Sequence, residues 1–189
     1  MPTRTIRTFE ATIPNQQQVR DDLDELGHAA SKLWNVGRYY AQGVWDETGE
    51  IPDDGELKSE LKGHERYTDL HSQSSQRVLE ELAEAFNSWY GSSDDRDNPP
   101  GFRKRWYHDD DGNLVHEEHP RSTVTWKQQG IRHDAENGRI RLSKGFNLKE
   151  SRDDFILCEY DTREDVAIEN VQQVRAVYEH GEWRLHIVC

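Results

Sequence analysis

Acid–base or metal chemistry in this chain would have to come from 37 Asp and Glu, 9 His and 2 Cys in 189 residues. Carboxylates mark a site only where they are scarce, and here they are everywhere. Asp109, Asp110 and Asp111 stand beside Gly112, where a hard cation could sit. The alternating oxygen positions of a calcium loop are missing, so the run reads as a solvated turn. His116 and His119 are near neighbours without a cysteine pair, and a zinc site needs about four converging ligands. Cys158 lies in FILCEY, a strand pattern in which a cysteine packs as a small hydrophobe. No G-x-x-x-x-G-K-[ST] phosphate loop and no nucleophile elbow occurs. The residues nominate no catalytic group, no metal ligand and no cofactor.

Basic segments are more informative, because the formal net charge is -13. The stretch PPGFRKRWY carries Arg103, Lys104 and Arg105 beside Phe102, Trp106 and Tyr107 and contains no acid. Cationic side chains contact phosphates and aromatic rings offer stacking platforms, so this composition suits a nucleic-acid strand. TVTWKQQGIR places Lys127 and Arg132 about a turn, and RLSKGFNLK adds Arg141, Lys144 and Lys149, again without acid. The plainer reading is a set of loops that balance acidic neighbours. For Trp126 and Phe146 a place in the core is the stronger expectation.

These groups need elements to hold them. Residues 5–13 alternate as a strand and Pro14 ends it. Asn15 and Gln18 have the spacing of a capping box. Val19, Leu23, Leu26, Ala30, Leu33, Trp34, Gly37 and Tyr40 then form one apolar stripe on a long helix, with Asp21, Asp22, Asp24 and Glu25 near its start. Residues 46–71 are polar and broken by Gly and Pro, and predict loop with one short helix. A second long helix runs over 72–90, with Val78, Leu79, Leu82, Ala85, Phe86 and Trp89 inward. Past a basic linker the period drops to two, predicting strands at 122–126, 130–132, 139–142, 155–160, 171–178 and 183–188, with turns at Asn137-Gly138 and His180-Gly181.

The fold class expected is α+β: a small antiparallel β-barrel (residues 1–13 and 115–189) with a helical insertion (14–95) after its first strand and a basic linker (96–114). Acidity with a 33% hydrophobic fraction fits a salt-filled cytoplasm, where molar salt screens charge over about 3 Å. Two cysteines are no disulfide scaffold, and no signal peptide or membrane span is read, so a cytoplasmic location without a membrane partner is expected.

In order and spacing these motifs resemble the front half of the RNA-guided nucleases of IS200/IS605-type transposons, the OrfB or TnpB family, with haloarchaeal members nearest. The resemblance rests on Trp34-Asn35 in SKLWNVGRYY, Ala85-Phe86-Asn87 in LAEAFNSWY, PGFRKR, the Thr/aromatic strand at 122–126, GRIRLSKGFNLK and the hairpin VRAVYEHGEWRLHIVC. It implies a wedge-like barrel and a recognition lobe that hold guide RNA and target DNA. Arg103, Lys104, Arg105, Lys127, Arg141, Lys144 and Lys149 would serve as nucleic-acid contacts, and Asn35 and Asn87 chiefly as anchors between helices. The family's RNase H-like domain, with its three metal-holding carboxylates, and its four-cysteine zinc element have no counterpart here. Divalent metal and zinc are therefore expected only in that further part, and cleavage is not expected of this chain. A separately encoded nuclease domain is one possible partner. The alternatives are a remnant of a decayed transposase gene and a stand-alone interaction module.

Overall fold

The computed structural model of the chain describes residues 5–92, 94, 98–149, 154–163 and 165–189. Strand β1 (Thr8–Thr12) leads through Pro14 into helix α1 (Gln16–Thr48), whose predicted stripe is buried from Val19 to Gly37. Gly49, at φ +70°, ends that helix in the left-handed conformation glycine tolerates. Gly37 lets the second long helix, α4 (Ser72–Tyr90), pack close: a Cβ there would meet Leu82 Cδ2 at 2.8 Å.

The start of α1 is built differently from the capping box. The Asn15 side chain caps no helical N–H. Its Nδ2 donates to the Leu157 carbonyl (2.9 Å) and its Oδ1 accepts from Glu159 N–H (2.9 Å). Gln16 does the same to another strand, donating to the Trp183 carbonyl (2.9 Å) and accepting from Trp183 N–H (2.7 Å). Each amide has the donor and acceptor of a peptide group, so each pairs with a strand as another strand would. The acids behind them are also spent on the sheets. Asp24 accepts from Arg121 Nε (2.6 Å), Arg121 Nη2 (3.2 Å) and Trp183 Nε1 (2.8 Å), and Asp22 accepts from Lys144 Nζ (3.1 Å).

Between the long helices, where loop with one short helix is expected, there are two helices: α2 (Asp54–Leu61) and α3 (Glu65–Thr68). Asp53 caps α2, and its Leu57 and Leu61 are buried. The His64 ring caps α3, and that helix buries Tyr67. The expected linker likewise carries a strand, β2 (Arg105–His108), which pairs as a hairpin with β3 (Leu114–Glu117) at the linker's end, closed where Asp109 Oδ1 accepts from Asp111 N–H (3.1 Å) and Asn113 N–H (2.8 Å).

The remaining strands are β4 (Val124–Lys127), β5 (Ile131–Asp134), β6 (Arg139–Ser143), β7 (Phe155–Glu159), β8 (Asp161–Thr162), β9 (Gln173–Glu179) and β10 (Glu182–Val188), with helix α5 (Phe146–Lys149) before β7. They form antiparallel sheets in the orders β4-β9-β10-β1-β8 and β5-β6-β7, so β1 joins the last hairpin across the chain. His180 and Gly181 both have positive φ, as a two-residue hairpin turn requires. Trp183, Leu185 and Ile187 point into the core while Arg184 and His186 are half exposed. The architecture is α+β; among the described residues no strand ladder closes the sheets into a barrel. One apolar core joins residues of α1, α2, α4 and both larger sheets, and Trp126 and Trp183 are buried in it. No helix among the described residues is long and apolar enough to cross a membrane.

Candidate nucleic-acid interface

Helix α1 grips the basic–aromatic segment by its main chain. Trp34 Nε1 donates to the Gly101 carbonyl (3.0 Å) and Arg38 Nε to the Pro100 carbonyl (2.5 Å). Asn35 takes Arg103 from both sides: its Oδ1 accepts from Arg103 N–H (2.7 Å) and its Nδ2 donates to the Arg103 carbonyl (3.1 Å). The Arg38 guanidinium is buried with the Phe86 ring 5.1 Å away and the Phe102 ring 5.3 Å away. Burial pushes its pKa below the usual arginine value. The three separate motifs SKLWNVGRYY, LAEAFNSWY and PGFRKR thus meet at one clamp, in which Asn35 anchors the basic segment and not, as expected, a second helix. Asn87 is exposed on α4.

The clamp leaves the side chains beyond it outward. Phe102 is 45% exposed, Trp106 58% and Tyr107 37%, and Lys104 and Arg105 are exposed beside them. Trp106 stacks on His116 across the hairpin, with centroids 4.1 Å apart and planes at 22°. Arg105 lies over the Tyr107 ring at 4.9 Å. This is an aromatic surface fringed by cations, on a backbone held by hydrogen bonds.

The other nominated residues divide. Arg103 turns onto the Trp34 ring (4.2 Å) and lies 3.9 Å from Glu81, so the fold uses its charge. Burial drives the Arg103 pKa down and the Glu81 pKa up. Lys144 is 4% exposed and paired with Asp22, which removes it from any surface contact. Lys127 is half exposed, 3.8 Å from Glu80. Lys149 is exposed at the end of α5. Arg141 is exposed over Phe155 (3.6 Å) and directly opposite exposed Arg132 on the neighbouring strand. Like charges so placed repel one another and suit a face that meets an anion.

Trp126 is buried and donates to the Ser143 carbonyl (2.8 Å), whereas Phe146 is 70% exposed and lies outside the core expected for it. Cys158 is fully buried, and burial pushes its thiol up to about 12, so it is an inert packing residue. Among the described residues no group of three or more His, Cys, Asp or Glu could hold a metal ion.

Burial also lowers the pKa values of His71, His119 and His133. The unfolded chain then binds protons more readily than the folded one, so stability falls as pH drops below the ordinary imidazole value of about 6.5. His71 acts through a defined bond, since its Nδ1 accepts from Gln73 N–H (3.3 Å) and protonation there uncaps α4. Melting temperatures measured from about pH 8 to about pH 5 are expected to decline on the acid side. His71→Asn keeps a capping oxygen that does not titrate and is expected to flatten the decline. A profile with no slope in that window contradicts the assignment.

No protein-family model matches the chain, and no curated protein matches it.

Proposed function

We propose that this chain is a nucleic-acid-binding module of the kind that precedes the catalytic domain in RNA-guided transposon nucleases, holding guide RNA and target DNA without cutting them. The observation that carries the reading is the clamped segment: Pro100, Gly101 and Arg103 are fixed by α1, while Phe102, Lys104, Arg105, Trp106 and Tyr107 are presented outward. In a chain with net charge -13, cations and rings exposed together on a fixed backbone suit phosphates and unstacked bases. Arg132 and Arg141 offer a second basic patch, with Lys127 and Lys149 on other elements. Lys144 and Arg103 serve the fold instead.

We read the two larger sheets as walls of a wedge-like barrel. Strand β4 runs through a single 3-10 turn (Gln128–Gly130) into β5, and β7 is one residue from β8, so the chain passes between the sheets twice. In the RNA-guided plan, base pairing reads the sequence and the protein holds backbone shape.

The test is binding of the purified chain to labelled RNA transcribed from the DNA flanking its gene, against a scrambled RNA, over a series of KCl concentrations. Saturable binding that prefers the native RNA is expected. Lys104→Ala with Arg105→Ala should weaken it roughly tenfold or more and lower the salt slope by about one per residue. Trp106→Ala should cost about 1–3 kcal/mol if a base stacks there. A folded chain that binds neither RNA, or binds equally after these substitutions, overturns the proposal.

A further inference from the structure

A recess of about 430 Å³ lies beside the clamp, lined by Lys32, Asn35, Val36, Tyr39, His64, Arg66 and His119. Its first four residues are one face of α1, at the spacing that puts side chains in a row. His64 and Arg66 face them from the start of α3, and His119 comes from the segment leading to β4. Among the described residues no carboxylate lines it, although the chain carries 37 acids to 24 Lys and Arg. Acids lie close by: Asp69 accepts from Arg66 (3.4 Å), and the neighbouring recess, which shares Lys32 and His119, contains Asp21, Asp24 and Glu25.

Hydrogen bonds fix what the two imidazoles offer. Asn35 Oδ1 faces Arg103 N–H, so its Nδ2 is the group 3.3 Å from His119 Nδ1. His119 Nδ1 is therefore an acceptor, and in the neutral ring the proton is on Nε2. His64 Nδ1 accepts from Arg66 N–H (3.1 Å), which puts its proton on Nε2 too. The side chains that line the recess thus carry an ammonium, a guanidinium and two imidazole N–H donors. Tyr39, 77% exposed, adds a bare ring at its rim. Burial, then Lys32 and Arg66 beside it, make His119 harder to protonate, and the nearby Glu118 offsets this only in part.

We infer that this recess is a seat for a phosphorylated nucleoside, with the phosphate among Lys32, Arg66, His64 and His119 and the base against Tyr39. The volume falls within the range of small-ligand pockets. Charge-assisted donors suit a tetrahedral oxyanion, and a Tyr face suits any base. The phosphate ester could belong to a free mononucleotide or to one residue of a bound strand. The recess shares Asn35 with the clamp but is lined by none of Lys104, Arg105 and Trp106, so substitutions on either side let this inference and the strand-binding proposal fail separately.

Amide-resolved NMR titration of the full chain separates the outcomes. The probes are adenosine monophosphate, adenosine and a short single-stranded RNA. Adenosine monophosphate, the RNA or both are expected to shift the amides of residues 32–39, 64–66 and 119, and adenosine is not. Response to the mononucleotide shows that the free ligand suffices; response to RNA alone assigns the seat to a strand. Lys32→Gln with Arg66→Gln should weaken binding roughly tenfold or more. Tyr39→Ala, at a side chain the core does not use, should weaken it roughly fivefold or more. No shift at these residues with either phosphorylated probe overturns the inference, as does equal binding of adenosine or of the variants. RNA bound through Lys104, Arg105 and Trp106 alone overturns the seat and leaves the module standing. Mononucleotide binding without strand binding does the reverse.

Discussion

Gly145→Ala is expected to destabilise the protein by about 3 kcal/mol or more, at the upper end of what overpacking does. A Cβ at Gly145 would lie 2.3 Å from both C and O of Asp69 and 2.5 Å from Leu70 N. These are main-chain atoms, so no rotamer change relieves the contact, and the two segments must separate. The separation would spread, because the same few residues tie the helical region to the three-stranded sheet. Asn147 Nδ2 bonds the Glu65 carbonyl (3.0 Å), Thr68 Oγ1 (2.8 Å) and Asp69 Oδ1 (2.9 Å), and Lys144 is paired with Asp22. Denaturant unfolding at fixed KCl measures the loss against a typical total stability of about 5–15 kcal/mol. Gly43→Ala is the control. It lies inside α1 with nothing within 4 Å of its Cβ, and should gain about 0.5–1 kcal/mol from helix propensity. If Gly145→Ala stays within about 1 kcal/mol of the parent, the close approach is wrong.

This clasp also shows where the sequence could be read and where it could not. RLSKGFNLK looked like a basic island because charge is visible residue by residue, while the partner of a charge is not. Lys144 finds Asp22 at a separation of 122 residues, and no local pattern announces it. Asn15 misled in the same way: its spacing to Gln18 is that of a cap, but its partners on β7 lie 142 and 144 residues away. What was legible had a period. The α1 stripe, the inward face of α4 and the alternation of β10 all repeat with the geometry of their element, and each is buried as that repeat requires except at Tyr40, Ala85 and Trp89, which are half-buried.

Elements with little or no one-sided apolar pattern are the ones the sequence shows poorly. The strand Arg105–His108 is exposed on both faces, so it has no alternation to detect, and a linker was the natural reading. One short helix is expected where α2 and α3 stand; both are short, and α3 is capped by a histidine, which is outside the usual set of capping side chains. The candidate site was half legible. The ring-and-cation composition of GFRKRWY singles out the segment, but only the fold separates Arg103, which packs on Trp34, from Lys104 and Arg105, which do not. The recess of Lys32, Arg66 and His119 joins a helix face, a helix start and a connecting segment, and no spacing in the sequence marks it.

Asn35→Ala tests the link between clamp and binding surface most directly, because it removes no charge. Asn35 is the two-sided partner of Arg103, accepting its N–H (2.7 Å) and donating to its carbonyl (3.1 Å), and its Nδ2 also reaches His119 (3.3 Å). Truncation leaves a half-buried peptide group without those bonds, at a cost of about 1–3 kcal/mol. The bonds from Trp34 to Gly101 and from Arg38 to Pro100 still tether the segment upstream, so the protein should stay folded while the hairpin beyond Arg103 loses its fixed register. RNA affinity is then expected to drop roughly tenfold, comparable to removing Lys104 and Arg105, since a surface that must order itself on binding spends part of its interaction energy doing so. The salt dependence distinguishes the two cases. Lys104→Ala with Arg105→Ala should lower the slope of log K against log salt by about two, whereas Asn35→Ala should leave it near the parent value, because the cations remain and only their placement is lost. Asn35→Asp keeps the acceptor for Arg103 N–H and loses the donor to its carbonyl, so an intermediate affinity is expected. Parent-like RNA binding by a folded Asn35→Ala chain would mean that the hairpin holds its shape unaided and the clamp serves stability alone.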